Sequence, residues 1–215
     1  MPDFSTLIPS AQRFYADLAA NNTRDWWQAH RATYDDALRD PALALLDALS
    51  APLADLTCAP VQTKLFRPHR DVRFSRDKTP YTTHLHMMWH MQSDAPQSPV
   101  FFFGIGVDYV TIGAGIMEFD KPVLTNWRQM VDLDTARITG IVGAVTAHGF
   151  TLRAPALKRV PPPYAQDHPA AELLRMKGVV ASRELTGTAP LPDRIMQGFM
   201  QIWPLNALLL SIAEA

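Results

Sequence analysis

The stretch Val100-Phe101-Phe102-Phe103-Gly104-Ile105-Gly106-Val107-Asp108-Tyr109-Val110-Thr111-Ile112-Gly113-Ala114-Gly115-Ile116-Met117 decides the fold. Residues 100–107 are too apolar and too rich in β-branched and aromatic side chains for a solvated segment, and too short for an ordinary helix. Asp108 supplies a tight connection, and residues 109–117 return as a second strand. Upstream, residues 81–91 read as a third strand, separated by the turn chemistry of Ser93 to Pro99. Three consecutive antiparallel strands make a meander. Before them, Val61, Thr63 and Leu65 alternate with Gln62, Lys64 and Phe66, the pattern of a half-buried strand.

Helical periodicity flanks this block. Ser10 is placed to cap a helix carrying Phe14, Leu18 and Ala19, which Asn21-Asn22 ends. Thr23 caps a second helix with Trp26, Trp27, His30 and Tyr34, and Asp40-Pro41 opens a third with Leu43, Leu46, Leu49 and Leu53, ending near Pro52. After the meander, Asp120 and Asp134 each open a helix, the second ending at Gly149. Short extended pieces follow at residues 151–153 and 157–160, then the rigid connector Pro161-Pro162-Pro163. His168-Pro169 starts a helix through Lys177, Gly178 stops it, residues 179–185 read as an edge strand, and residues 190–215 are helical with an interruption at Pro204. The expected architecture is α+β, one domain over residues 1–215. Its mainly antiparallel sheet is centred on residues 61–117 and flanked by N-terminal and C-terminal helices.

Composition bounds the function. The chain has 215 residues, 47% of them hydrophobic and 19% charged, with a net charge of −1. That is a globular balance. It lacks the basic excess that phosphate neutralisation demands of a nucleic-acid wrapper, so a nucleic acid partner is disfavoured. A single cysteine, Cys58, excludes internal disulfides and cysteine-rich zinc sites. Residues 1–10 show no basic region followed by a long apolar run, and the apolar stretch 205–212 is too short to span a bilayer. Cytoplasm is the expected compartment, with no membrane partner.

Charge is nonetheless uneven. Between Lys64 and His84 stand six cations (Lys64, Arg67, Arg70, Arg73, Arg76, Lys78) against Asp71 and Asp77, leaving +4 here and −5 on the rest of the chain. Such an island attracts a small anion. Arg67, Arg70 and Arg73 offer planar guanidinium forks, Lys78 a point charge, and Ser75 a hydroxyl donor. Arg159, beside the triple proline, is a further candidate contact. Asp71 and Asp77 are candidate general bases, Tyr81 and His84 candidate proton donors. The competing reading is an internal network in which Asp71 and Asp77 pair with the neighbouring cations and Thr79-Pro80-Tyr81 sets the entry to a strand.

The motif Arg70-Asp71-x-Arg73-Phe74-Ser75-x-Asp77-Lys78-x-Pro80-Tyr81, with Asn21-Asn22-x-x-x-Trp26-Trp27 before it, resembles the domain-of-unknown-function family 2461. Gly113-Ala114-Gly115 and Leu157-Lys158-Arg159…Tyr164…Asp167-His168-Pro169 are similar to later parts of that family, so the resemblance spans nearly the whole chain. It implies a single-domain extent and carries no activity. Thr82 stands where the family commonly has Lys, and Val160 with three prolines where it has a Pro-Arg/Lys-Gly run.

Other candidates have structural readings beside the functional ones. His84, His86, Met88 and His90 share one face of a strand and carry metal-ligand chemistry, but strand faces also hold histidines for packing, and no metal is assigned. Trp26, Trp27 and Tyr34 read mainly as apolar payload of an amphipathic helix. Gly104-x-Gly106 lacks a third glycine and a following helix, so it is no dinucleotide fingerprint. His168 reads as part of a helix start. The expectation is a binding site for a small phosphate- or carboxylate-bearing ligand, on which the protein would act if it is an enzyme. The alternative is a non-catalytic module recognising an acidic protein segment or a nucleic acid strand. Enzyme status, cofactor and oligomeric state stay open.

Overall fold

A computed structural model describes residues 3–215. The elements run α1 (Leu7–Ala20), α2 (Arg24–Tyr34), a π-helical turn (Asp35–Arg39), α3 (Asp40–Thr57), β1 (Val61–Leu65), β2 (His84–Met91), β3 (Val100–Gly106), β4 (Val110–Ile116), α4 (Lys121–Leu133), α5 (Thr135–Ala147), β5 (Thr151–Leu152), α6 (Ala171–Leu174), β6 (Val179–Glu184) and α7 (Leu191–Ala213). All strand pairs are antiparallel, in the order β1-β2-β3-β4-β6-β5. The meander is present, extended by β1 at one side, and the fold is α+β with helices before and after the strands.

Period-two alternation sorts the sheet into two faces. Leu85, Met87, Trp89 and Met91 of β2 are fully buried, as are Phe101, Phe103 and Ile105 of β3 and Ile112 and Ala114 of β4. α1 and α3 pack over β2 and α7 over β4 on this face. The Trp89 indole N–H donates to the Leu46 carbonyl of α3 at 3.0 Å, so even the largest core ring has its polar atom satisfied. The intervening residues His84, His86, Met88 and His90 line the opposite face, half-exposed.

Several boundaries differ from expectation, each for a local reason. α1 begins at Leu7, because Leu7 and Ala11 extend the buried stripe of Phe14 and Leu18 one turn upstream; Ser10 lies inside the helix. Asp40-Pro41 does not start a separate helix. The Asp40 N–H donates to the Asp35 carbonyl five residues back, and the chain stays helical through the π turn. Pro52 and Pro204 sit inside continuous helices. In α7 the burial of Leu205, Leu208, Leu209 and Ile212 outweighs one lost backbone bond. That uninterrupted helix has 23 residues, and its most apolar 18-residue stretch has a mean hydropathy of 1.3, enough by length and composition to cross a membrane, yet here the helix packs on β3, β4 and α3. The segment after His168-Pro169 forms only the four-residue α6. β6 is covered on both sides, with β5 pairing only to Ser182 and Ala181.

β4 and β6 meet closely at Gly115, whose φ of +136° no side-chain-bearing residue adopts comfortably. A Cβ there would lie 2.0 Å from the Val179 carbonyl oxygen. Gly115→Ala is therefore expected to destabilise the fold by roughly 3 kcal/mol or more. Urea unfolding measures it, and an unchanged midpoint would mean that the β4–β6 contact has slack.

Candidate functional site

The charged stretch is the long connection between β1 and β2, and it continues their ladder. The Phe66 N–H donates to His86 O at 3.0 Å, Thr82 N–H to Pro68 O at 2.8 Å and Arg70 N–H to Pro80 O at 2.9 Å, with a β-bridge between His69 and Tyr81. Partners shift by two residues between the first bond and the second. Arg67 alone faces Thr83, His84 and Leu85, a bulge of the sort that re-aims a side chain. Beyond the neck at Arg70 and Pro80, the residues at the tip bond largely to one another.

In that tip Arg70, Arg73 and Lys78 each find a partner within the loop, while Arg76 makes no hydrogen bond or ion pair among the described residues. Arg70 Nη1 meets Asp77 Oδ2 at 2.5 Å and also reaches the Thr79 carbonyl and hydroxyl. Arg73 grips Asp71 through Nε at 3.0 Å and Nη2 at 2.7 Å. Lys78 Nζ donates to the Val72 carbonyl at 2.9 Å, and the Ser75 N–H donates to the same oxygen at 3.3 Å. The two guanidinium groups thus turn to different carboxylates and do not converge on a shared guest. The Arg73 side chain and backbone N–H hold the Asp71 carboxyl below its usual range. The Thr79 N–H, then Arg70, then the Thr79 hydroxyl hold Asp77 down at about 2. Both are ionised hydrogen-bond acceptors at neutral pH, poor proton acceptors for catalysis.

The remaining predicted residues are scattered. The Tyr81 side chain is buried, stacked on Trp27 with ring centres 4.5 Å apart and planes at 16°. That position keeps its hydroxyl from the exposed loop. His84 lies on the open sheet face, its ring stacked on His86. Arg159 follows β5 at the other side of the sheet, in a loop tied to the chain before β6 by the Leu157 N–H donating to Arg175 O. His168 is structural: its Nδ1 accepts from the Ala170 N–H at 3.0 Å, and its Nε2 faces Asp132 at 3.3 Å. Among the described residues no three His, Cys, Asp or Glu side chains gather closely enough to hold a metal ion.

What holds the loop in place is Asn22. Its side-chain amide donates to the Tyr81 carbonyl at 2.9 Å, and its side-chain oxygen accepts the Tyr81 N–H at 3.1 Å. An asparagine thereby acts as one more strand residue, 59 positions away in the chain. Docking Tyr81 against α2 opens a cleft of about 440 Å³ between α2 with the π turn and residues 65–69. Trp27, Arg31 and Tyr34 line it from one helical stripe, Asp35 and Arg39 from the π turn, and Arg67 and His69 from the strand side. Arg39 bonds Asp35 at 3.0 Å and Arg31 lies 3.7 Å from it, so two guanidinium groups share one carboxylate. Arg67 has no ion-pair partner among the described residues. Burial, with Asp35 nearby, pushes the Tyr34 phenol up to about 12, which keeps it neutral. Sequence reading missed Arg31, Asp35 and Arg39, although a carboxylate with arginines four residues to either side is a legible helical triplet.

The chain matches the family described as conserved hypothetical protein DUF2461 over residues 10–208, and it belongs to that family. No curated protein matches it.

Two predictions test this geometry. Asn22→Ala removes both bonds to Tyr81 and leaves its half-buried backbone groups without partners, so it should lower stability by about 2 kcal/mol in denaturant unfolding. A loss much below that would mean the Trp27–Tyr81 stack carries the docking alone. The second concerns pH. Folding depresses the Asp77 pKa from 3.8 to about 2, so its contribution is present above pH ~4 and lost as pH falls through about 2. Exchange protection of the Thr79 amide should fall over that window, and in Asp77→Asn, whose side-chain oxygen still accepts the amide but does not titrate, that pH dependence should disappear.

Proposed function

We propose that this DUF2461-family chain binds a small molecule bearing a phosphate or carboxylate in the cleft between the π turn and residues 65–69. The observation that carries the reading is the unpaired Arg67 guanidinium, facing two further arginines that share a single carboxylate. Together these four groups leave a formal excess of two positive charges, which an anionic guest would offset. Of the other lining groups, Trp27, Leu65, Phe66 and Pro68 are apolar and suit a guest with a hydrocarbon or ring portion, beside Tyr34 and His69. A π turn supplies two of the charged residues, and such turns occur disproportionately at functional sites. Arg67 also sits at the bulge where the β1–β2 ladder changes register.

A second reading, a module for an acidic protein segment, rests on Phe74. Its ring is 96% exposed at the tip of the self-bonded loop, with the Arg73 guanidinium 5.9 Å from its centre. A single aromatic knob amid cations suits a partner's pocket rather than a flat surface.

Titration with phenyl phosphate, followed through arginine Nε–H and tryptophan indole resonances, separates the two. Arg67→Ala should weaken binding roughly ten- to hundredfold, the worth of one charge-assisted contact. Arg73→Ala and Phe74→Ala should leave it unchanged. Binding that survives Arg67→Ala but falls with Arg73→Ala would move the anion site back to the loop tip. No binding by the wild type would remove the cleft reading.

A further inference from the structure

The two edges of the sheet differ. At one end β5 contributes only Thr151 and Leu152, too short to guide another strand. At the other end β1 runs five residues, Val61 to Leu65, with β2 as its one neighbour. The ladder decides which backbone groups face outward. Pro60 O accepts the Gln92 N–H at 2.9 Å, and the Phe66 N–H donates to His86 O at 3.0 Å. Bonded pairs recur at every second residue of an antiparallel ladder, so Gln62 and Lys64 also turn their backbone groups toward β2. Val61, Thr63 and Leu65 therefore point three N–H and three C=O groups away from the sheet, and among the described residues nothing pairs with them.

Such an edge is a template for pairing, and proteins usually blunt it with proline, charge or a bulge. Here none of these devices obstructs it. Pro60 lacks its N–H on the side of β2, not on the free side. The bulge at Arg67 comes after the last outward group. Lys64 projects from the open face, and its ammonium is folded back over the Phe66 ring, 4.8 Å from its centre. α3 packs under β1 without covering its middle. Thr63 is opposite the buried Trp89 and so shares the helix-covered face, yet it is exposed, while Val61 and Leu65 on the same face are half-buried.

From this geometry we infer that β1 is the interface for a second copy of this chain, whose own β1 runs antiparallel to it about a two-fold axis at Thr63. The strand is complementary to itself in that register. Val61 faces Leu65 of the second copy, an apolar pair. Gln62 faces Lys64, so no like charges are opposed, and Thr63 faces Thr63, a pair favoured across strands. Every outward N–H and C=O of both copies is then bonded. Moving the axis to Lys64 opposes two lysines, moving it to Gln62 leaves Leu65 unpaired, and parallel pairing in register sets Lys64 beside Lys64. A single short strand pair makes a small interface, so the dimer is a weak one. The inference does not rest on the anion cleft.

Sedimentation velocity and amide exchange on the untagged chain test it. From about 1 µM to about 1 mM the chain should pass reversibly from monomer to dimer. Over the same range, exchange at Val61, Thr63 and Leu65 should slow, while Gln62 and Lys64, bonded to β2 in either state, should not change. Thr63→Pro removes an outward donor at a position where an edge strand tolerates proline, so it should weaken the dimer at least about tenfold and keep Gln62 and Lys64 protected. Thr63→Lys and Thr63→Glu each oppose like charges at the axis and should each weaken self-association, whereas their equimolar mixture should pair. A chain monomeric throughout, which would leave the edge to a different strand, would overturn the inference. So would a dimer without slowed exchange at Val61, Thr63 and Leu65, or a mixture that pairs no better than either variant alone. The wild-type measurements decide the matter even if a variant fails to fold.

Discussion

The geometry of the molecule's polar side depends on one side-chain amide. Asn22 lies just past the end of α1, yet it pairs with both backbone groups of Tyr81 as a neighbouring strand would. Buried backbone groups must find partners, and at this place the sheet has none to give. The Tyr81 ring then stacks on Trp27, and the His69 ring packs edge-on against Tyr81. The helical corner and the β1–β2 connection are thus joined by hydrogen bonds and by aromatic contact at one point. The cleft is the gap left beside that join. Its floor is Trp27, its helical wall is Arg31 to Arg39, and its other wall is the strand end bearing Arg67.

The most charged segment of the chain spends both of its carboxylates on its own cations. A loop of this length needs enthalpy to offset its ordering, and charge-assisted hydrogen bonds supply it without a hydrophobic core. Arg70 closes the neck on Asp77 and Thr79, Asp71 folds Arg73 back, and Lys78 caps carbonyls that would otherwise face solvent. Each pair is exposed, so each alone contributes little. Their joint effect is shape: a compact tip that holds Phe74 in solvent and fixes where the neck residues lie.

Much of the fold was legible because burial leaves a period in the sequence. The alternation from His84 to Met91 and the apolar run from Val100 predicted strands that the structure contains, and Thr23 caps α2 by accepting the Trp26 N–H. Boundaries failed where a local signal is generic. Asp40-Pro41 has the chemistry of a helix start, but the π turn shifts the backbone acceptors by one residue, and Pro41, lacking an N–H, fits where the α register resumes. The site was legible only as charge. Sequence shows that Arg70 has Asp71 beside it and Asp77 seven residues on, and nothing local decides between them. The choice is made by the Arg70–Pro80 backbone bond, which brings Asp77 within reach. Arg67 shows the converse: it is one cation among six in the sequence, and only the ladder's change of register sets it apart.

A sequence signature dense in ionisable residues invites the inference that those residues touch the ligand. Here Arg70, Arg73 and Lys78 of the motif are spent within the loop, and Arg67, the unpaired guanidinium that lines the cleft, lies three positions before the motif begins. That ordering is physically reasonable. On the proposed anion-binding function, a cation that stays available to a guest cannot also be the one that neutralises a neighbour, so the residues fixing the loop and the proposed ligand contact would be different. Asn22, Asp77 and Tyr81 fix the loop by bonds internal to the chain, and their fixity is what lets Arg67 remain unpaired opposite Arg31 and Arg39 rather than collapsing onto Asp35 beside them. On the open face of the sheet, likewise, Gly104 and Gly106 contribute only absence of side chain, and by doing so let the rings of His86 and Tyr109 meet at hydrogen-bonding distance.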